Sequence, residues 1–446
     1  MTSFRVVVQD HLNSFRTILI GFAVLILLGA FLLNLPVASA DRQSVPFLNA
    51  LFTSASAACV TGLVVYDTAT QWSLFGRTVI LILIQIGGLG VVTAFVATML
   101  LTGKRIGLMQ RIAMQDSVSA PQVGGIIRFT SFFLKGTLII ETLGALLLLP
   151  LFAQEFGLLQ GLGYAVFHSV SAFCNAGFDL MGVQSPYSSL TAYAGSAWVN
   201  IVICGLIIVG GLGFMSWNDL LKNQFHFRSL RLQTKMILVT TAILITVPFL
   251  VFFFFGFADM PLKERILMSF FQSVTPRTAG FNTADYSKMS DGLLLMTVIL
   301  MMIGGAPGST AGGMKVTTIA VVALATHTYV RGRENTNVFK RRLESQAIHN
   351  AFALFMLYLA LLLSATFILD LLEETPLMPV MFECASALGT VGLSTGITPY
   401  LSAVSKIILI CLMFVGRVGG LTLTYAMVSI GSKGTAKYPA EKLTVG

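Results

Sequence analysis

Four times along the chain, a run of small residues ends in a glycine that is followed by a large apolar residue. Leu51-Phe52-Thr53-Ser54-Ala55-Ser56-Ala57 leads to Val60-Thr61-Gly62-Leu63, and Phe167-His168-Ser169-Val170-Ser171-Ala172 leads to Asn175-Ala176-Gly177-Phe178. Phe270-Phe271-Gln272-Ser273-Val274 leads to Thr278-Ala279-Gly280-Phe281, and Phe382-Glu383-Cys384-Ala385-Ser386-Ala387 leads to Thr390-Val391-Gly392-Leu393. In each copy a Phe stands ten positions before the glycine, and successive glycines are 115, 103 and 112 residues apart. The chemistry open to such words is that of backbone oxygen. Glycine lacks a Cβ and reaches conformations other residues avoid, so successive carbonyls can turn toward one axis and replace the hydration shell of a cation.

Side chains offer little competing chemistry. The histidines, His11, His168, His226, His327 and His349, are scattered, and only His168 falls within one of the four words, as a structural hydrogen bonder or with a modest role in the pore. Glu141 and Glu383 fall near membrane depth, where a carboxylate that caps backbone or pairs with Arg277 or another base is set against a proton relay. The cysteines, Cys59, Cys174, Cys204, Cys384 and Cys411, show no CxxC spacing and read as buried thiols, not as a metal site or a disulfide framework. Without an intramembrane cluster of His, Asp and Glu, an enzyme is not expected.

The elements that carry the words must cross a membrane. The chain of 446 residues is 55% hydrophobic and 11% charged, against about a quarter charged in soluble domains, and cannot coat a water-soluble surface. Long apolar segments, and no alternating ones, favour helices over a β-barrel. Spans are expected at 16–36 and 77–102, 129–153 and 195–219, 235–258 and 292–326, and 349–371 and 403–430. The stretch before each glycine is too short to cross and predicts a half-helix that enters and returns as extended backbone. Arg5 and Arg16 ahead of the first apolar run, without a small-residue cleavage site, predict a retained first span.

The net charge of +9 does not indicate nucleic acid, because the basic residues lie between apolar segments. Lys104, Arg105, Arg111 and Arg128, then Lys222, Arg228, Arg231 and Lys235, then Arg331, Arg333, Lys340, Arg341 and Arg342, and finally Lys433, Lys437 and Lys442 follow the second span of each repeat. These ends should face the cytoplasm, with both termini there. The expected architecture is therefore an all-α membrane protein of four parallel covalent repeats, each a transmembrane helix, a re-entrant pore loop and a second transmembrane helix, around a central pore. Its divisions are a cytoplasmic N-terminus at 1–15, repeats at 16–105, 106–225, 226–342 and 343–432, and a cytoplasmic C-terminus at 433–446. Inverted repeats are not expected, since each repeat starts and ends on one side. Half-helices aiming their C-terminal ends at the centre would add negative partial charge there, favouring cations.

The third repeat carries an oddity. Gly304-Gly305-Ala306-Pro307-Gly308-Ser309-Thr310-Ala311-Gly312-Gly313-Met314-Lys315 interrupts what should be a spanning helix, and glycine and proline at that density cannot hold one. Such backbone should line the cavity below the ring, though a packing kink is the plain alternative. Arg417, in the corresponding helix of repeat four, is a second intramembrane charge, either a clamp between helices or a fixed obstacle to cations.

The four glycine words with their flanks, above all Ser171-Ala172-Phe173-Cys174-Asn175-Ala176-Gly177-Phe178 and Thr275-Pro276-Arg277-Thr278-Ala279-Gly280-Phe281-Asn282, resemble the potassium-translocating membrane subunits of the Trk/Ktr/HKT superfamily. Gln85-Ile86-Gly87-Gly88-Leu89-Gly90, Gly210-Gly211-Leu212-Gly213-Phe214 and Gly416-Arg417-Val418-Gly419-Gly420 add to the likeness, which runs from the first span to the last. The likeness is greatest to the Ktr type, since the chain starts directly at the first span. The loop word Pro307-Gly308-Ser309-Thr310-Ala311-Gly312-Gly313 is nearer to the Trk type.

The resemblance implies a bacterial plasma-membrane potassium uptake subunit without a covalent cofactor. Its selectivity filter would be formed by Val60, Thr61 and Gly62, by Asn175, Ala176 and Gly177, by Thr278, Ala279 and Gly280, and by Thr390, Val391 and Gly392, with potassium passing the four glycines. Some plant relatives carry serine at the first glycine and favour sodium, whereas this chain keeps Gly62. Residues 304–313, Lys315 and Arg417 would form the gate. The likeness further implies a homodimer on a cytosolic ring of nucleotide-binding regulatory subunits of RCK type. No GxGxxG follows a strand here, so a nucleotide would sit on the partner alone. A sodium-coupled or sodium-permeable transporter of the same superfamily is the alternative, with sodium as activator left open and with Asp67 and Asp179 near the filter glycines, in the outer vestibule.

Overall fold

The computed structural model describes residues 2–102, 107–117 and 124–419, with backbone alone for 2–15, 100, 101, 109 and 117. The first repeat runs through α1 (Thr2–Asn34), α2 (Phe47–Ala58), the single turn α3 (Thr68–Gln71), α4 (Leu74–Leu89) and α5 (Val91–Leu101), and α6 (Leu108–Ser117) links it to the second. The second has α7 (Ile126–Phe156), α8 (Leu158–Phe173), α9 (Ala197–Gly211) and α10 (Phe214–Lys222). The third has α11 (Leu232–Val251), α12 (Leu262–Val274), α13 (Asp291–Met302) and α14 (Val316–Val330), closed by a hairpin of β1 (Asn337–Val338) and β2 (Arg341–Arg342). The fourth has α15 (Ser345–Leu372), α16 (Leu377–Gly389) and α17 (Ala403–Val418). Lys104, Arg105, the end of repeat four to residue 432 and the expected C-terminus over 433–446 lie outside the described residues.

Apolar length separates the helices into two kinds. The first helices of the four repeats are long and apolar enough to cross a bilayer over Arg16–Asn34, Ile126–Phe156, Leu232–Gly256 and Ser345–Leu372, and between 22% and 33% of their apolar windows is buried. So little burial in such apolar helices leaves most of their surface for lipid. By contrast α2, α8, α12 and α16 have 12, 16, 13 and 13 residues. At 1.5 Å per residue the shortest is only about 18 Å long, too short to span. Proline at the N-cap starts three of them, at Pro46, Pro261 and Pro376, where its missing N–H costs nothing.

Packing closes the repeats into a ring in chain order. Each short helix lies against the second helix of the preceding repeat: α4 on α8, α9 on α12, α13 on α16, and α17 back on α2. The chain is thus a mostly helical membrane protein of four pore-loop repeats around one axis.

Two expectations need correction. The segments 77–102 and 195–219 are not continuous spans, since α4 turns by 97° into α5 and α9 by 93° into α10. Gly90 and Gly213, at φ +89° and +84°, make the turns, and Gly419 at +91° ends α17 in the same way. The interruption anticipated in repeat three alone therefore recurs in the second helices of repeats one and two, and the described part of the fourth ends at the equivalent glycine. Three residues before each of these glycines the helix passes close to the ring: a Cβ on Gly87, Gly210 or Gly416 would stand 2.1, 2.0 or 2.1 Å from the carbonyl oxygens of Ala58, Phe173 and Leu388, four residues before each ring glycine.

The second correction is one of register. Phe52, Phe167 and Phe382 are buried, but in repeat three it is Phe271 that is buried and Phe270 is only half-buried. The third short helix is thus one residue closer to its glycine, and the match of Phe270 at ten positions is coincidental. Polar residues follow the same shift. Ser56, Ser171 and Ser386 stand six before the glycine, whereas repeat three uses Thr275 at five.

Candidate functional site

Where the four short helices converge, backbone meets backbone. A Cβ on Gly62 would lie 2.3 Å from the Ala176 oxygen, one on Gly177 2.7 Å from that of Ala279, one on Gly280 2.3 Å from that of Val391, and one on Gly392 2.2 Å from that of Thr61. Each glycine therefore abuts the carbonyl of the residue before the next glycine, and the fourth returns to the first. All four have positive φ, at +92°, +68°, +81° and +92°, and so do Val60, Asn175, Thr278 and Thr390 two positions earlier, at +58°, +59°, +69° and +51°. The residue between has negative φ in every loop. Alternation of this kind swings successive peptide planes so that their oxygens face one side.

Hydroxyls and amides tie each loop to its helix. The amides of Thr61, Ala176 and Val391 donate to the carbonyls of Ser56, Ser171 and Ser386, each at 2.8 Å, and Ala279 donates to Thr275 at 2.9 Å. The loops then divide into pairs. In repeats one and four the glycine amide donates to the Ser56 or Ser386 hydroxyl at 3.0 Å. In repeats two and three the Ser171 and Thr275 hydroxyls instead donate to the carbonyls of Phe178 and Phe281.

On one side the ring floors an open cavity of about 1040 Å³, lined by all four glycines and by Asp67, Asp179, Asp285 and Glu264, with Lys288 the basic residue among its lining. Lys288 pairs with Asp285 at 3.3 Å, so the lining is net acidic. Asp67 caps α3 through the amides of Ala69 and Thr70 and also accepts the Tyr187 amide at 2.9 Å, tying repeat one to repeat two.

On the other side, residues 304–315 press against the ring from below. Gly304 donates to Met314 at 2.8 Å, closing the loop's neck. Ala306 donates to Gly211 at 2.9 Å and Phe214 to Gly308 at 2.8 Å, so the loop is stitched to the break in repeat two, and Gly313 donates to Gly416 at 3.1 Å in repeat four. The Thr310 hydroxyl donates to the Phe173 carbonyl at 3.0 Å and lies 3.4 Å from the Asn175 carboxamide oxygen. A Cβ on Gly312 would lie 2.1 Å from the Thr390 hydroxyl. Arg417 donates to the carbonyls of Thr310, Gly87 at 2.5 Å and Gly88 at 2.9 Å, and Lys315 donates to Ala311 at 2.7 Å. Two basic side chains thus hold successive carbonyls of the same loop, and one guanidinium of repeat four joins the end of α4 in repeat one to it.

The twelve ring residues and the loop with Lys315 and Arg417 are therefore brought together around one axis. Arg277 is not where pairing with a carboxylate would put it. It donates to the Thr241 hydroxyl at 3.2 Å, while Glu141 accepts from Gln85 at 3.2 Å, and Glu383 accepts from Ser394, Thr395 and Thr398. His168 makes structural hydrogen bonds, Nδ1 with the Tyr164 carbonyl at 2.7 Å and Nε2 with the Leu180 amide at 3.3 Å. The sequence reading missed the serine hydroxyls that tie the ring down, although their recurrence six residues before three of the glycines was visible. It also missed the Asn175 side chain, which no repeat pattern flags.

The sequence model of the TrkH family, described as cation transport protein, matches residues 13–433. The chain is 37% identical to the potassium/sodium uptake protein NtpJ of Enterococcus hirae over the whole of both chains. It is 38% identical to the Ktr system potassium uptake protein B of Bacillus subtilis, over 97% of this chain and 96% of that one. The crystal structure of the potassium transporter TrkH from Vibrio parahaemolyticus superposes with a TM-score of 0.73 at 20% identity, covering 94% of this chain and 85% of that one, a likeness of fold.

Proposed function

The chain belongs to the TrkH family of cation transport proteins, and from that premise we propose that it takes up potassium through a selectivity filter made of its four glycine loops. It is a cation transporter and not an enzyme. One observation carries the reading: four positive-φ glycines touch in chain order around a closed ring that floors a net acidic cavity. Acidic lining raises the local cation concentration, and inward peptide oxygens from residues 60–62, 175–177, 278–280 and 390–392 replace the water a cation sheds.

Residues 304–315 are the gate. Their bonds to the break of repeat two and to Gly416 of repeat four, and the clamp of Arg417, support a loop that seals the inner rim until those bonds are exchanged. Arg417 adds fixed positive charge under the filter, which opposes a descending cation. Potassium moves down its electrochemical gradient, and no covalent cofactor is involved. The names of the Ktr relatives as parts of a system support a cytosolic partner, proposed as a nucleotide-binding ring of RCK type under a homodimer in a bacterial plasma membrane, with the termini cytoplasmic. The name of the Enterococcus hirae relative favours a second reading, in which sodium also permeates or is coupled.

The test is growth of a potassium-uptake-deficient bacterium at limiting potassium, with the full chain and candidate partners. Rescue is expected, and Gly62→Ser should shift the preference toward sodium. Failure to rescue with every partner tried, or a Gly62→Ser variant with unaltered preference, overturns the reading.

A further inference from the structure

Behind three of the four glycines, a side chain of the short helix reaches forward and holds the chain that has just left the ring. His168 accepts the Leu180 amide through Nε2 at 3.3 Å. Gln272, with its carboxamide turned to satisfy both ends, accepts the amides of Thr283 at 3.2 Å and Ala284 at 3.1 Å and donates to the Tyr286 hydroxyl. Glu383 accepts the Thr395 amide at 3.0 Å, together with the hydroxyls of Ser394 at 2.6 Å and Thr398 at 2.7 Å. Leu180, Thr283 and Thr395 each lie three residues past their glycine. With the one-residue shift of the third short helix, His168, Gln272 and Glu383 occupy one and the same structural position, and all three are fully buried.

We infer that His168, Gln272 and Glu383 are positioning residues for ion discrimination, each pinning the outgoing chain to its pore helix so that the glycine carbonyls cannot close around a smaller ion. The inference rests on the reading of the ring as a filter. Three unrelated side chains share only an acceptor atom and its place, so the acceptor is what matters. His168 illustrates the constraint. Its Nδ1 faces a carbonyl and must donate, so Nε2 is left as the acceptor that Leu180 needs. The ring of Phe152, Tyr164, Phe167 and Phe281 around the imidazole fixes its orientation.

Repeat one departs from the rule. Its equivalent residue, Thr53, turns back to donate to the Asn49 carbonyl at 3.0 Å. The chain after Gly62 is held differently: the Asn49 carboxamide of the same short helix donates to the Tyr66 hydroxyl at 2.7 Å, and from outside the Tyr187 hydroxyl donates to the Val65 carbonyl at 3.2 Å. The wall at Gly62 is thus the one where the equivalent side chain does not accept from the outgoing chain.

The experiment is potassium and sodium uptake by vesicles containing the full-length protein, carrying His168→Phe, Gln272→Met or Glu383→Ala, with His168→Gln and Glu383→Gln as acceptor-restoring variants. Loss of one buried acceptor should lower potassium-over-sodium discrimination by about tenfold, with potassium uptake itself kept within a few-fold. The acceptor-restoring variants should recover most of it, and Thr53→Val should leave it unchanged. Gln272→Met keeps size and shape and decides the matter even if His168→Phe does not assemble. Unchanged discrimination in Gln272→Met and Glu383→Ala, while Gly177→Ser alters it, overturns this inference. Unchanged discrimination in Gly177→Ser as well overturns the filter reading beneath it.

Discussion

Replacing the ring glycines one at a time by alanine should produce a graded loss whose order the backbone dictates. An added Cβ would stand 2.2 Å from its neighbour's carbonyl oxygen at Gly392, 2.3 Å at Gly62 and Gly280, and 2.7 Å at Gly177, while ordinary contact begins near 3.4 Å. Relief demands a displacement of roughly 1 Å at the first three positions and roughly 0.7 Å at the last. Backbone strain points the same way. Gly177 at φ +68° lies inside the left-handed region that side chains tolerate, at about 1 kcal/mol, whereas Gly62, Gly280 and Gly392 at +92°, +81° and +92° lie beyond it, at about 2 kcal/mol or more. The overlap falls on a neighbour's carbonyl, which in the proposed filter is itself a ligand for the ion. Discrimination between potassium and sodium in reconstituted vesicles should therefore fall by about tenfold or more in Gly62→Ala and Gly392→Ala, and by only a few-fold in Gly177→Ala, at about 1.4 kcal/mol per tenfold. Equal effects at all four positions, or Gly177→Ala as the most severe, would refute the argument from contact and conformation.

Three further outcomes follow from the contacts beneath the ring. Gly312→Ala should raise uptake in the absence of any partner, because its Cβ collides with the Thr390 hydroxyl, and adding Thr390→Ala should return uptake toward the starting level, a coupling of about 1 kcal/mol or more in a double-mutant cycle. Arg417→Gln removes charge-assisted bonds to three carbonyls and should raise partner-free flux by tenfold or more, since each such bond contributes about 1.5–3 kcal/mol; unchanged flux would mean the arginine is only a helix clamp. Gly87→Ala would push into the Ala58 carbonyl and should lower thermal stability in detergent by the equivalent of about 1–3 kcal/mol, whereas Gly205→Ala, with open space around it, should not.

Much of this architecture is legible in the sequence because a repeated backbone requirement leaves a repeated residue. A loop that must pass its neighbour within van der Waals contact admits glycine alone, and Gly62, Gly177, Gly280 and Gly392 record that need four times. The clustering of small residues at 304–313 is legible for the same reason. What escapes is register and direction. Phe270 and Phe271 are adjacent and alike, so composition cannot say which one faces the core, and the third helix's shift by one residue is settled by burial and by the Thr275 hydrogen bonds. Arg277 escapes differently, since charge suggests a carboxylate partner while geometry supplies the Thr241 hydroxyl. The bends at Gly90 and Gly213 are written in the same glycine words as the loop of repeat three, but an apolar run of spanning length masks them, because hydropathy carries no information about direction.

The division of the ring into a half where glycine amides donate to serine and a half where hydroxyls donate to carbonyls has a consequence for how such a pore changes over time. In an assembly of identical subunits any substitution is imposed on every wall at once, and four simultaneous insults are seldom survivable. Here a single codon alters one quadrant and the carbonyl it abuts, while the remaining walls keep their dimensions. Ion preference can therefore drift by small increments, wall by wall, in a protein that carries all four repeats in one chain.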